Sequence, residues 1–339
     1  MSFKRFDQED IVVSAETVTS ALWTGHQNTL TDFYTSISQK ASTSGEYYHD
    51  VFQVDSEDDS AEIQFAAAYA DKYGFGSILF NSNVPGKSPS SAIYGQYRNL
   101  VLGDEESNFT FGDITSDYFY VITVDRGRYK EKLLPGTLTL QMTGPGGQTI
   151  SITDNSNQVS TISYTDSGRV YELISGSNGQ LATGALTLGY TFSQGSYGKF
   201  LPDVGVIIVN GTALDAPVVD GGLNLGTVRT TNSNGDNITR FVNAITGGGH
   251  FKLNAEETIS SNLVFIRARN SEFNYSTNPS SITGSGEIRH SVMINSPQAF
   301  ITTVGLYNDN NDLLAVAKLS KPLLKDFTKE SLIKAKLNY

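Results

Sequence analysis

Histidines, carboxylates and one glycine-lysine-serine run are the residues of this chain that could do chemistry, and their spacing argues against each use. His26, His49, His250 and His290 are scattered, with no H-E-x-x-H and no pair four residues apart, so they offer no zinc-type ligand set. Gly86-Lys87-Ser88 ends like a phosphate-binding loop, but that loop needs a glycine where Asn81 stands, and Pro85 stiffens the turn. There is no G-x-S-x-G nucleophile elbow and no G-x-G-x-x-G between a strand and a helix. Asp and Glu residues could supply a glycosidase pair, yet nothing in the sequence sets the separation that reaction needs. The stretches 232–237 and 308–312, rich in Asn and Asp, could offer oxygens to calcium. Neither follows the EF-hand pattern, and turn chemistry accounts for both. The sequence predicts no catalytic residue, no cofactor and no metal site, and hence a protein that is not an enzyme.

The elements around these residues read as strands and loops. Only 17% of the 339 residues are charged, Gly numbers 32, and Ser, Thr and Asn cluster between short apolar runs. With Tyr 17 and Phe 18 there is ample aromatic material for sheet surfaces and interfaces. The net charge of -11 opposes phosphate, so no nucleic-acid partner is expected. Acids gather early (Asp55, Glu57, Asp58, Asp59) and lysines late (Lys318, Lys321, Lys325, Lys329). Cysteine is absent, which excludes disulfides and thiolate metal sites. No apolar run is long enough to cross a bilayer and the N-terminus has no apolar signal core, so the expectation is a protein made in a cytoplasm without membrane insertion.

The patterning predicts an α+β, mainly β fold, with antiparallel sheets, two or three short helices and several domains. The domains expected are 1–135, mixed α/β; 136–249, β-rich and possibly inserted; and 250–339, β with a hairpin over 299–319 and a terminal strand over 331–339. One helix is expected over 61–73, where Ile63, Ala66, Ala67, Ala70 and Tyr73 share a stripe and Gly74 stops it. A second opens on Ser88 as N-cap with Pro89 behind it and ends at Gly103. A third covers 237–245. Strands are expected at 11–13, 117–124, 126–134, 137–142, 149–152, 204–209 and 263–269. In the terminal strand Ile333, Ala335 and Leu337 point one way and Lys334 and Lys336 the other.

The hairpin is the clearest signal. Ala299-Phe300-Ile301-Thr302-Thr303-Val304-Gly305-Leu306-Tyr307 and Leu313-Leu314-Ala315-Val316-Ala317 flank a turn of Asn and Asp. This hairpin, with Phe3-Lys4-Arg5-Phe6-Asp7 at the front, Ser88-Pro89-Ser90-Ser91-Ala92-Ile93-Tyr94 and Leu201-Pro202-Asp203-Val204-Gly205 in the middle, and Ala268-Arg269-Asn270-Ser271-Glu272-Phe273 near the end, resembles a group of virion structural proteins of contractile-tailed bacteriophages, cyanophage-like in character. The resemblance implies a baseplate or tail-end subunit, located in the virion after synthesis in the host cytoplasm. Its partners would be other virion proteins, in a homo-oligomer or ring. A neck, head-completion or capsid-decorating role, and a receptor- or glycan-binding fibre module, are the alternatives. Contact residues are expected on the hairpin (Tyr307, Leu313), along 267–275 (Arg267, Arg269, Phe273, Tyr275) and on the terminal strand (Lys334, Lys336), types that recur at interface hot spots or set register by charge.

Overall fold

Alternation inside single strands explains the larger part of the molecule. In strand Ile63–Asp71, Phe65, Ala67 and Tyr69 enter one apolar core while Ala68 and Ala70 enter a second. Strand Tyr118–Val124 divides likewise, with Tyr120, Ile122 and Val124 on one side and Phe119 and Val121 on the other. So does Val206–Asn210, with Ile207 and Val209 against Val206 and Ile208. Successive side chains leave a strand on opposite faces, so these neighbouring antiparallel strands form a wall buried on both sides. They lie within a 13-stranded sheet that also takes in Tyr48–Phe52, Thr139–Thr143, Thr149–Asp154, Gly168–Ser177 and Gly198–Leu201.

A computed structural model describes residues 4–35, 48–76, 88–182, 196–230 and 236–338. The chain divides into two units, Val18–Glu257 and Met1–Thr17 with Thr258–Tyr339. In the larger unit, helix Pro89–Leu102 packs Ile93, Tyr94, Tyr97 and Val101 into one core. Helix Asp236–Gly248 packs Phe241, Val242, Ala244 and Ile245 into the other. Aromatic contacts fasten both. Tyr94 lies 5.2 Å from Phe119, and Tyr120 stacks on Phe241 at 4.5 Å. Such pairs add about 0.5–1.5 kcal/mol each beyond the area they bury.

The predicted class stands: the molecule is mainly β, with several antiparallel sheets. Among the described residues four segments are α-helical, and Gly211–Asp215 and Val292–Asn295 are a turn or so long. The helix opening on Ser88 forms where expected. The Ser88 and Ser91 side chains and backbones form a capping box, and Gly103 closes the end in the left-handed conformation at φ 72. The helix expected over 61–73 is instead the strand Ile63–Asp71. Its alanines are small enough to sit between two cores, and a strand buried on both faces shows no period of two for a sequence reader to find. The strand expected over 126–134 shrinks to Lys132–Leu133 after a 3-10 turn at Arg126–Arg128. Asp125 accepts from the Gly127 amide at 2.8 Å, and the Arg126 guanidinium donates to the carbonyls of Tyr129 and Lys130 at 3.3 and 2.6 Å, which curls the segment. The expected boundary at 135/136 falls inside the larger unit, whose 13-stranded sheet draws strands from both sides of it.

A buried acid marks one seam of this sheet. Asp154, fully buried, accepts from the Gly136 amide with both oxygens at 2.9 and 3.0 Å and from the Ser156 amide at 3.1 Å. Burial pushes its carboxyl above the ordinary value of 3.8, and the hydrogen bonds that pull it down do not cancel the effect. A raised folded-state value means that this group's contribution is complete below the unfolded value and is lost as pH rises through the raised one. Asp154→Asn keeps an acceptor and removes the charge. The variant is expected to melt at or above the wild-type temperature at neutral pH, with the difference vanishing on acidification; melts between pH 4 and 8 measure it, and a parallel loss at every pH would refute it.

Strand Asn254–Ala268, which belongs to the smaller unit from Thr258 on, lies between Ile11–Ala21 and the terminal strand Ser331–Asn338. The register sets Val264 against Ala335 and Ile266 against Ile333. The expected alternation holds, with Ile333 and Ala335 buried and Leu332, Lys334 and Lys336 exposed. The hairpin forms a separate two-stranded sheet, Ala299–Tyr307 with Leu313–Lys325, its second strand longer than the sequence suggested. The extra length includes an irregularity where Thr303 faces Lys318 but Ile301 faces Leu323. Pro322 falls in that gap, as befits a residue with no amide to donate.

Candidate interaction surface

The turn fixes the hairpin's tip before anything touches it. Asn308 accepts through its side-chain oxygen from the amides of Asn310 and Asp312 at 3.0 and 2.8 Å, and its amide nitrogen donates to the Asp312 carboxylate at 2.9 Å. Asn311 takes the left-handed conformation at φ 65, which asparagine tolerates. This stretch spends its oxygens on its own backbone, as turn chemistry predicts. Just behind it, the Tyr307 ring lies across Gly305, where an added Cβ would come within 2.9 Å of Cε2. Tyr307 and Leu313 stand opposite each other.

Both faces of the hairpin meet solvent. Phe300 is 64% exposed, Leu314 67% and Val316 58%, and Leu313 and Tyr307 are exposed with them. A continuous apolar run such as Leu313-Leu314-Ala315-Val316-Ala317 normally marks a strand covered on both sides. Here no described element covers either side. The smaller unit as a whole shares this character. Every buried residue of the two apolar core clusters lies between Leu22 and Ala255. The smaller unit buries only a few apolar side chains, among them Val264, Ala268, Ile333 and Ala335, while Val292, Ile294, Phe327 and Leu332 join the hairpin residues at its surface. A two-stranded hairpin with no cover is marginal by itself in water.

The eight residues expected at contacts resolve into three places. Arg267, Lys334 and Lys336 occupy one exposed face of the sheet that ends in Ser331–Asn338, with Arg267 opposite Leu332, and Lys336 opposite Leu263. Glu16 accepts from Lys336 at 3.0 Å and moderates that positive face. Arg269, Phe273 and Tyr275 belong to the loop that follows, where the Arg269 amide donates to Glu272 at 2.9 Å and Phe273 adopts φ 52. The Glu272 carboxyl is held below its ordinary value first by that amide and then, against burial, by Lys4, which also donates to the Arg267 carbonyl at 2.7 Å. Tyr307 and Leu313 form the third place, at the hairpin tip.

One functional-looking group escaped the sequence reading. Lys325, at the end of the hairpin, is fully buried, and its ammonium donates to Asn274 Oδ1 at 2.6 Å, the Asp326 carbonyl at 2.9 Å and the Asn270 carbonyl at 3.3 Å. The Asn274 amide donates in turn to Asn270 O at 2.6 Å. Three neutral oxygens thus match the three protons of the cation. The contact ties the hairpin's base to the loop that carries Phe273 and Tyr275. Nothing in a lysine-rich strand distinguishes this lysine from its exposed neighbours. Lys325→Ala leaves those oxygens without a donor, a loss of about 1–3 kcal/mol that removal of a desolvated cation partly offsets. Amide exchange over 270–275 is expected to accelerate at least tenfold, and unchanged exchange would show that Lys325 does not hold the loop.

Among the described residues no cluster of His, Asp and Glu is grouped to hold a metal ion, and no helix is long and apolar enough to cross a membrane. Comparison with family models, with curated proteins and with solved structures finds no match.

Proposed function

We propose that this chain is a structural subunit of a contractile-tailed phage virion, at the baseplate or tail end, and that it works by docking residues of its smaller unit on neighbouring subunits. The observation that carries the docking role is a unit with few buried apolar side chains of its own and a hairpin exposed on both faces. A monomeric protein rarely leaves such surface in water. The setting in a phage particle rests on the resemblance of the hairpin and the segments quoted with it. Subunit contacts of this kind need adhesive faces and open strand edges rather than a cleft.

The test is quantitative mass spectrometry of purified virions separated into heads and tails. A few to a few dozen copies, on the order expected of a closed symmetric ring, enriched with the tail, support the baseplate position. Enrichment with heads moves the chain to the neck or capsid, and absence from the particle discards the virion role.

A further inference from the structure

The hairpin guards one of its edges and leaves the other bare. Both irregularities of its pairing lie on the second strand, Leu313–Lys325. Leu314 is the extra residue between Leu313 and Ala315, and Leu319 to Pro322 stand where the first strand spends Thr302 alone. The second strand also carries Lys318 and Lys321. Bulges, lysines and proline are the devices by which natural sheets keep an edge from pairing. The first strand, Ala299–Tyr307, has none of them: its nine residues run without a bulge, a proline or a charge. In the sheet that ends in Ser331–Asn338, by contrast, the outer strands carry Glu16 on one side and Lys334 and Lys336 on the other. No described strand pairs with the outer edge of Ala299–Tyr307. We propose that this edge pairs antiparallel with the same edge of a second copy, on a two-fold axis through Thr303, to make one four-stranded sheet. The proposal deepens the reading of the chain as an assembling subunit and rests on it.

The side chains favour a second copy over an unlike partner. A two-fold axis between antiparallel strands passes through a residue position, because facing residues both turn their amides toward the partner or both away. Of the registers left, only the one through Thr303 pairs the whole strand. It sets Tyr307 against Ala299, Ile301 against Gly305 and Phe300 against Leu306, a larger side chain beside a smaller one each time. Two exposed threonines meet on the axis, a pair that hydrogen-bonds across strands. Facing residues also share a side of the sheet, so Phe300, Val304 and Leu306 of each copy join Leu324, Ala317 and Ala315 in one apolar stripe. A two-stranded hairpin is marginal by itself, whereas more strands with an apolar side can stand. Acidic and basic residues nearly balance in the smaller unit, so two copies meet there without net repulsion.

Because the chain contains no cysteine, single introduced cysteines in the full-length protein report the register directly. Directly opposed residues of an antiparallel pair have Cα atoms about 4.5–5.5 Å apart, within disulfide range. Thr303→Cys is expected to oxidise to a covalent dimer. Phe300→Cys and Leu306→Cys should each stay monomeric alone, since their counterparts lie six residues, about 20 Å, along the strand, yet cross-link when mixed. Without oxidant, Thr303→Lys sets two ammonium groups on the axis and should weaken the dimer roughly tenfold or more in sedimentation. Val316→Lys, which puts the same charge on the guarded strand, should leave the dimer near its wild-type affinity. Monomeric Thr303→Cys under oxidation would overturn the proposal. So would Phe300→Cys and Leu306→Cys that cross-link alone as readily as mixed, or greater damage from Val316→Lys than from Thr303→Lys. A dimer from a chain absent from virions would support the pairing while the phage assignment falls. A monomer from a chain found in tails would overturn the pairing and leave that assignment standing.

Discussion

Replacing Gly198 by Ala is expected to cost the larger unit on the order of 4 kcal/mol or more, enough to leave little folded protein. Gly198 opens strand Gly198–Leu201 and pairs on both sides, with Leu173 and with Val209. Its φ of 149 is one that residues with a Cβ rarely adopt. A methyl group there would overlap the carbonyl oxygen of Ile208 and stand 3.0 Å from Leu173 Cδ1. The carbonyl belongs to a strand whose five residues are all buried, so it cannot swing aside without breaking the ladder. Gly95 supplies the contrast. It sits within helix Pro89–Leu102 with nothing within 4 Å of an added Cβ. Gly95→Ala should therefore stabilise by about 0.5–1 kcal/mol. Denaturant midpoints of the two variants measure the difference, and equal midpoints would refute the steric argument.

Asp71→Ala should cost about 3 kcal/mol, the second largest effect of a single change. Asp71 is fully buried at the end of strand Ile63–Asp71. One carboxylate oxygen accepts from the Tyr73 and Phe75 amides at 2.9 and 3.2 Å and so shapes the turn that follows. The other accepts from Arg229 Nε at 2.7 Å. The Arg229 guanidinium lies 4.7 Å from the centre of the Tyr118 ring, whose hydroxyl donates to Asp215 at 2.8 Å. Burial, then that carboxylate, raise the tyrosine above its ordinary value, so it stays a donor at neutral pH. Removing Asp71 strands two amides and a guanidinium together. Because Arg229 keeps some access to water, the cost sits at the low end of that for a broken buried pair. Asp71→Asn keeps the amide contacts and should cost about half as much. Equal losses for the two variants would mean that the turn amides contribute nothing.

How much of this was legible in the sequence depends on whether an element announces itself locally. The helix at Pro89–Leu102 did: Ser88, Pro89 and Gly103 are chemical instructions read within one turn of chain. The terminal strand did too, because one of its faces is dry and the other wet. The strand Ile63–Asp71 did not, since the burial of its two faces is decided by cores that helices Pro89–Leu102 and Asp236–Gly248 complete, the second of them far off in sequence. For the interaction surface, the hairpin's existence and turn were readable. That both its faces lie open was not, because Leu313-Leu314-Ala315-Val316-Ala317 would read the same in the middle of a core. Lys325 was hidden for the opposite reason: a charged residue is expected outside, and only the carbonyls of Asn270 and Asp326 and the side chain of Asn274 make its burial possible.

The uneven division of charge between the units has a kinetic meaning. Residues 1–17 and 258–339 carry 11 Lys and Arg against 10 Asp and Glu, so the acidity belongs to the larger unit, and the repulsion it exerts on another acidic chain reaches about 10 Å at 0.1 M salt and farther in dilute buffer. Ionic strength then acts as a throttle on encounter rather than on grip. Raising it should speed association with an acidic neighbour.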